Sequence, residues 1–216
     1  KKKHIVSIFI LFSSNDDNIF LTSPLCSFLF YNLSNLFINF KPFRQTVEHI
    51  KERPDTYIGS CESRTESMWV FSHETQRMEH REATFVPGIF KIFDEILVNA
   101  ADNKMRDDSM KYIKVTIDRE TGEISVENDG KGIPIEVHEK EGVYVPQMVF
   151  GELLTGDNYN DGEERVVGGR NGYGAKLANI FSTRFEVATC DTASSQTYKQ
   201  VWLDNMAKVG KPKITS

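Results

Sequence analysis

The sequence predicts an α+β protein, a two-layer sandwich with helices packed on a mixed, mostly antiparallel sheet. Three observations predict it. The segment "GIFKIFDEILVNAADNKMRD" (88–107) places Ile89, Phe93, Ile96, Leu97 and Ala100 on one face at helical spacing. The segment "YIKVTIDRETGEISVEN" (112–128) reads as a hairpin, with Ile113, Val115 and Ile117 alternating before a turn and Ile124 and Val126 alternating after it. Two more pairs of strand-like segments flank these elements, and helices with strands arranged this way make two layers around one core.

The elements follow in chain order. Residues 1–40 differ from all that comes after: rich in Phe, Ile, Leu, Asn and Ser, and without glycine. Lys1 to Lys3 followed by Ile5 to Phe12 resembles the start of a secretory signal, but the apolar run is short and no convincing cleavage site follows. No run reaches the ~20 apolar residues that span a bilayer, so no membrane role is expected. Residues 1–40 are read as an atypical low-complexity extension, of the kind a misassigned gene start produces. Residues 41–216 are read as the folded domain.

From about Thr46 the pattern changes. "TVEHIKERPDTYIG" is a short helix capped by Thr46, and Pro54 disfavours helix at Arg53 and ends it. Ser67–His73 and Arg81–Pro87 are strands joined by a polar loop. Pro87 marks the entry to the long helix. "VPQMVFGELL" is a second main helix with Pro146 near its start. Thr155–Gly172 is long, polar and glycine-containing, the composition of a mobile loop. "GAKLANIFS" is a third helix, and "RFEVATCD" and "TYKQVWLD" are two further strands. No internal repeat is visible.

Composition narrows the function. The formal net charge of -5 shows no broad basic surface for nucleic acid, so any contact with DNA is local or made elsewhere. Cys26, Cys61 and Cys190 are far apart and form no C-x-x-C pair, which argues against a disulfide framework or zinc site and for a reduced intracellular compartment.

Three motifs carry chemistry. "GGRNGYGAK" (168–176) is glycine-rich, yet a Walker loop fails because Leu177 follows Lys176 where a hydroxyl is needed, and a Rossmann fingerprint fails on glycine order. Protein-kinase H-R-D and D-F-G motifs are missing as well. What remains is a loop opening a helix near Gly174, where free N–H groups attract anions and Lys176 adds a charge. Taken alone, a flexible helix entry explains it equally well. In "EILVNAADN", Glu95 and Asn99 share a helix face, continued by Asp102 and Asn103. Glu95 suits proton abstraction from water, and Asn99 offers a hard oxygen to Mg²⁺. A solvated polar face is the plain alternative, but Asn is a poor helix former and two of them here favour function. In "NDGKGIP", Asn128 follows a strand, and Gly130 and Gly132 let the chain turn beside a flat ligand whose edge Asn128 can read. A simple turn explains that motif alone.

Together, in this order, the motifs resemble the Bergerat ATP-binding fold of the GHKL superfamily, which includes gyrase-type topoisomerases, heat-shock chaperones, histidine kinases and mismatch-repair ATPases. "EHIKERPDTYIGS", "FVPGIFKIFDEILVNAADNKMRD", "NDGKGIP", "YVPQMVFGELLTGDNYND" and "VGGRNGYGAKLANIFST" are most similar to the N-terminal ATPase region of eukaryotic DNA topoisomerase II. The similarity runs from about Thr46 to the C-terminus.

The resemblance implies roles. Glu95 would activate the attacking water, Asn99 would hold Mg²⁺ on the triphosphate, and Asn103 would lie near ribose and phosphate. Asn128 would bond adenine, with neighbouring Asp129 the other candidate. Gly156, Asp157 and Asn158 would meet sugar and phosphate, and Gly169, Arg170, Asn171, Gly172, Tyr173, Gly174, Ala175 and Lys176 would form the phosphate-binding lid run. It further implies ATP and Mg²⁺ as cofactors, DNA as a partner of the parent protein, a nucleotide-driven homodimeric clamp, and the nucleus. Two departures stand out. Phe40 or Phe43 occupies the place where the family's N-terminal arm carries a tyrosine, and the sequence stops before the expected last strands and the transducer domain with its γ-phosphate lysine. The expected activity of this piece alone is weak. The competing readings are another ATPase of the superfamily, such as a chaperone, and a non-catalytic nucleotide-binding fragment.

Overall fold

A computed structural model describes residues 6–11, 47–153 and 173–216. The chain runs β1 (Val6–Leu11), α1 (Val47–Glu52), α2 (Pro54–Tyr57), β2 (Arg64–Ser72), β3 (Arg77–Phe85), α3 (Pro87–Arg106), β4 (Ile113–Asp118), β5 (Glu123–Asn128), α4 (Val145–Gly151), α5 (Gly174–Ile180), β6 (Arg184–Asp191), β7 (Gln196–Leu203), β8 (Lys208–Val209) and β9 (Lys213–Thr215). Seven strands form one sheet in the order β4-β5-β1-β6-β7-β8, with β9 also on β7, while β2 and β3 form a separate hairpin. The pairing expected to be mostly antiparallel is antiparallel throughout the described strands.

Most elements fall where periodicity and turn chemistry put them. Pro54 breaks the first helix as expected, leaving Arg53 outside helical backbone geometry, but it also opens the short α2, because proline is well suited to a first helical turn. Pro87 and Pro146 likewise lie in the first turns of α3 and α4. Thr46, the expected cap, lies outside the described residues, as do Cys26, Phe40, Phe43 and the whole of the expected loop Thr155–Gly172. Cys61 and Cys190 are free thiols.

Two expectations change. The buried stripe of α3 is Ile92, Ile96 and Ala100, with Gly88 one turn earlier, whereas Ile89, Phe93 and Leu97 are only half-buried. The stripe is set by what the helix meets, the sheet on one side and α5 on the other, so its centre is rotated from the one inferred by periodicity. The second change is larger. Val6–Leu11, read as part of an extension, is the central strand of the sheet, pairing with β5 through Ile8↔Val126 and with β6 through Ile8↔Val187. Both faces of β1 are largely shielded, Ser7 being buried as well as Val6, Ile8 and Ile10, and a strand covered on both faces reads as a near-continuous apolar run that is easily taken for a signal-like segment.

One side of the sheet faces the helices. Ile8, Ile10, Val126, Phe185, Val187 and Trp202 pack with Ile92 and Ile96 of α3, Phe150 of α4 and Leu177, Ala178 and Ile180 of α5 in a single core. Each such aliphatic side chain contributes roughly 1.5–3 kcal/mol on burial. This packing presents the polar edge of α3, the end of β5 and the start of α5 to one another. Among the described residues no helix is long and apolar enough to cross a membrane.

Candidate nucleotide site

The site grows from α3. With Ile92, Ile96 and Ala100 buried, the helix cannot rotate, and its other face turns outwards with Glu95 half-buried and Asn99 exposed. Packing thus overrides the weak helix propensity of Asn99 and Asn103. The Glu95 carboxylate is held at 2.6 Å by the ammonium of Lys91, one turn earlier, and Lys91 also lies 3.8 Å from Asp94. This contact raises the Lys91 pKa, chiefly through its hydrogen bond to Glu95.

One turn after Asn99, Asn103 meets the end of β5. Its Nδ2 donates to Asn128 Oδ1 at 3.1 Å, and the backbone N–H of Gly130 donates to the same oxygen at 3.2 Å. A backbone N–H only donates, so the Asn128 atom facing Gly130 must be its oxygen. Its amide N–H groups are then directed away from these two donors. Asp129 is engaged differently: its carboxylate accepts the backbone N–H groups of Lys111 and Tyr112 at 2.8 and 3.0 Å. Those two bonds hold its pKa below the ordinary carboxylate value. Of the two neighbours, Asp129 is occupied in tying β5 to the start of β4, and Asn128 faces α3.

The turn after Asn128 is fastened from both sides. Asp107, just past the end of α3, accepts the Ser109 hydroxyl and N–H and, at 2.6 Å, the Lys131 N–H. Its carboxyl is held below its usual range, first by the Ser109 hydroxyl and then by the Lys131 N–H. Thr189 on β6 accepts the Ile133 N–H at 3.0 Å. Between these anchors, Gly132 lies so close to β6 that a Cβ would fall 1.8 Å from the Cys190 carbonyl oxygen. Sequence reasoning missed Asp107 and Thr189. The Asp-x-Ser spacing after a helix is a turn signal that points to Asp107, but no local pattern marks Thr189.

The glycine-rich run reaches the site through the start of α5. A Cβ on Gly174 would lie 1.8 Å from Glu95 Oε2, so the chain here lies directly against the carboxylate. Lys176 is two residues on, about 200° around the helix. It is 3% exposed, and burial lowers its pKa while the Glu152 carboxylate acts in the opposite direction. Hence Glu95 and Lys176 belong to different sides of α5. Tyr173 packs against the core just before the helix, and Ala175 is buried. The structure therefore brings together Glu95 with Gly174 and Asn103 with Asn128, and sets Gly132 against β6. It does not join Lys176 to Glu95. Gly156, Asp157, Asn158, Gly169, Arg170, Asn171 and Gly172 lie outside the described residues.

The exposed carboxamide of Asn99, one turn from Glu95, fits Mg²⁺. That ion needs only one or two protein oxygens when phosphates and waters complete its octahedron.

The chain is similar to known proteins of one ATPase family. Residues 86–206, more than half of the chain, match the family described as histidine kinase-, DNA gyrase B- and HSP90-like ATPases. DNA topoisomerase 2 of Penicillium chrysogenum is 60% identical over 169 residues, 78% of this chain and 11% of that protein. The crystal structure of the ATPase region of Saccharomyces cerevisiae topoisomerase II has a TM-score of 0.76 at 59% identity, covering 79% of this chain and 45% of that one. The ATPase and transducer domains of DNA topoisomerase II from Balamuthia mandrillaris give a TM-score of 0.76 at 51% identity, covering 86% and 46%. The chain thus spans only about an eighth of the length of the curated relatives it matches. An acidic residue on α3, a carboxamide pair joining α3 to β5 and a glycine-rich helix start converge here on the fold of those ATPases, and the chain belongs to the histidine kinase-, DNA gyrase B- and HSP90-like ATPase family.

Proposed function

We propose that this chain is the ATP-binding and ATP-hydrolysing region of a type II DNA topoisomerase. The observation that carries the reading is the position of Glu95: a carboxylate at the exposed edge of α3, fixed by Lys91 and covered on one side by the start of α5. In this reading Asn128 meets the adenine edge, and Asn103 steadies Asn128. Asn99 would hold Mg²⁺, which supplies charge neutralisation to the phosphates. Glu95 orients a water and takes its proton as the water attacks the γ-phosphate. The glycine-rich run from Gly169 to Gly174, with Gly156, Asp157 and Asn158, would enclose sugar and phosphates. The positive charge of Lys176 would act from the far side of α5. Residues 41–216 would form the ATPase domain, with the strand Val6–Leu11 inserted into its sheet. In the parent protein, nucleotide binding would close two protomers as a clamp around DNA in the nucleus. This chain alone would turn over slowly.

Calorimetric titration with a non-hydrolysable ATP analogue tests the pocket. Binding that requires Mg²⁺ and is weakened by Asn99→Ala is expected. Glu95→Ala is expected to keep analogue binding and to lower hydrolysis by about 10²-fold or more, the usual effect of losing a general base. Unchanged hydrolysis would remove Glu95 from this role.

A further inference from the structure

For Glu95 to act as the base, its carboxylate must keep one orientation. A glutamate side chain turns about three torsions, and on a helix face it samples several rotamers. A base that works on one water must keep one oxygen within reach of it. Around Glu95 the two oxygens are bounded separately. Oε1 is paired with Lys91 Nζ at 2.6 Å, while Oε2 lies against the backbone of Gly174, where no Cβ fits. Lys91 is half-exposed, four residues before Glu95 on the same face of α3, and Asp94 at 3.8 Å is its second carboxylate neighbour.

An exposed pair at this helix spacing ordinarily contributes little to stability. This one is different in where it acts. The ion pair constrains the carboxylate from the N-terminal side of α3, and α5 constrains it from the opposite side. Removing either constraint frees the torsions that set the position of the second oxygen.

We propose that Lys91 is a positioning residue for the hydrolytic reaction: it holds one oxygen of Glu95 so that the other stays directed towards the water-binding side of the site, at the start of α5. The proposal rests on Glu95 being the base. Lys91 itself contacts neither Asn128 nor Asn103, so its loss affects the rate rather than nucleotide binding. The elevated pKa of Lys91, due first to its bond with Glu95, is consistent with a permanently charged clamp.

Two measurements on the 216-residue chain test it. In a sample labelled with ¹³C at glutamate carboxyls, the Glu95 resonance is identified by its loss in Glu95→Gln. Lys91→Met is expected to shift that resonance and Lys91→Arg to return it towards its original position. A resonance that Lys91→Met leaves unmoved overturns the proposal, whether or not the chain hydrolyses ATP. In single-turnover hydrolysis, Lys91→Met is expected to slow the rate by about 10-fold or more while analogue affinity stays within about two-fold, with Lys91→Arg recovering most of the rate. If Glu95→Gln abolishes hydrolysis and Lys91→Met does not slow it, the positioning role alone falls. Hydrolysis by Glu95→Gln at the wild-type rate would remove the base assignment, and the proposal with it.

Discussion

Two strands of this protein carry nearly the same pattern and have different fates. In β1, Val6, Ile8 and Ile10 alternate on the face towards the helices, and in β4 so do Ile113, Val115 and Ile117. Ile10 is fully buried, yet Ile117 is 64% exposed. β1 is paired on both sides and lies under the helices, whereas β4 is an edge strand paired with β5 alone. Apolar alternation therefore reports which side chains share a face, not whether anything covers that face. The cover comes from α3, α4 and α5, whose core contacts reach Val126 on β5 but not Val115 beside it in register.

The sharpest way to break the comparison is to remove volume at its buried end. Ile10→Ala should destabilise the chain by about 2–5 kcal/mol, the cost of a large-to-small change in a packed core, as read by urea denaturation. A change under ~0.5 kcal/mol would mean that β1 is not the centre of the sheet in solution. A double-mutant cycle between Ile8 and Val126, directly paired across β1 and β5, should show a coupling of about 0.5–3 kcal/mol. Additive effects would separate the two strands.

Charge gives a milder test of the same burial. Lys176 is about as enclosed as the isoleucines of β1, and burial lowers its pKa. A lysine with a lower pKa folded than unfolded binds its proton more weakly in the native state. It therefore weakens the fold most below its folded pKa, and that penalty fades as pH rises towards the ordinary lysine value of 10.5. Lys176→Met should accordingly raise the melting temperature at neutral pH by more than at pH 10. An equal gain at both would show that the ammonium is not desolvated. The smallest effect belongs to the exposed strand: Ile117→Ala should change stability by no more than ~0.5 kcal/mol. A large loss there would mean that β4 is covered in solution.

Legibility followed the range of the interactions. The hairpin of β4 and β5, the prolines opening α3 and α4, and the limits of β6 were readable because each depends on residues close in sequence. The three chemical motifs were readable for the same reason, since Glu95 and Asn99 are one helical turn apart and Asn128 and Gly132 share one turn of chain. Thr189 was not readable, because its bond to Ile133 spans 56 residues. The buried stripe of α3 was only partly readable. Periodicity gave Ile96 and Ala100, but the choice of Ile92 over Phe93 belongs to the surface the helix meets.

By itself, the sequence determined the kinds and order of most elements from β2 to β7, and the polar groups available to a nucleotide. Backbone propensity and side-chain chemistry are local properties, and they survive any arrangement of the remaining chain. The tertiary structure alone decided that Val6–Leu11 stands between β5 and β6, that Gly174 rests on Glu95, and that Lys176 is buried. Each of these depends on close contact between segments far apart in the chain, where the available space, and not the residue type, sets the outcome.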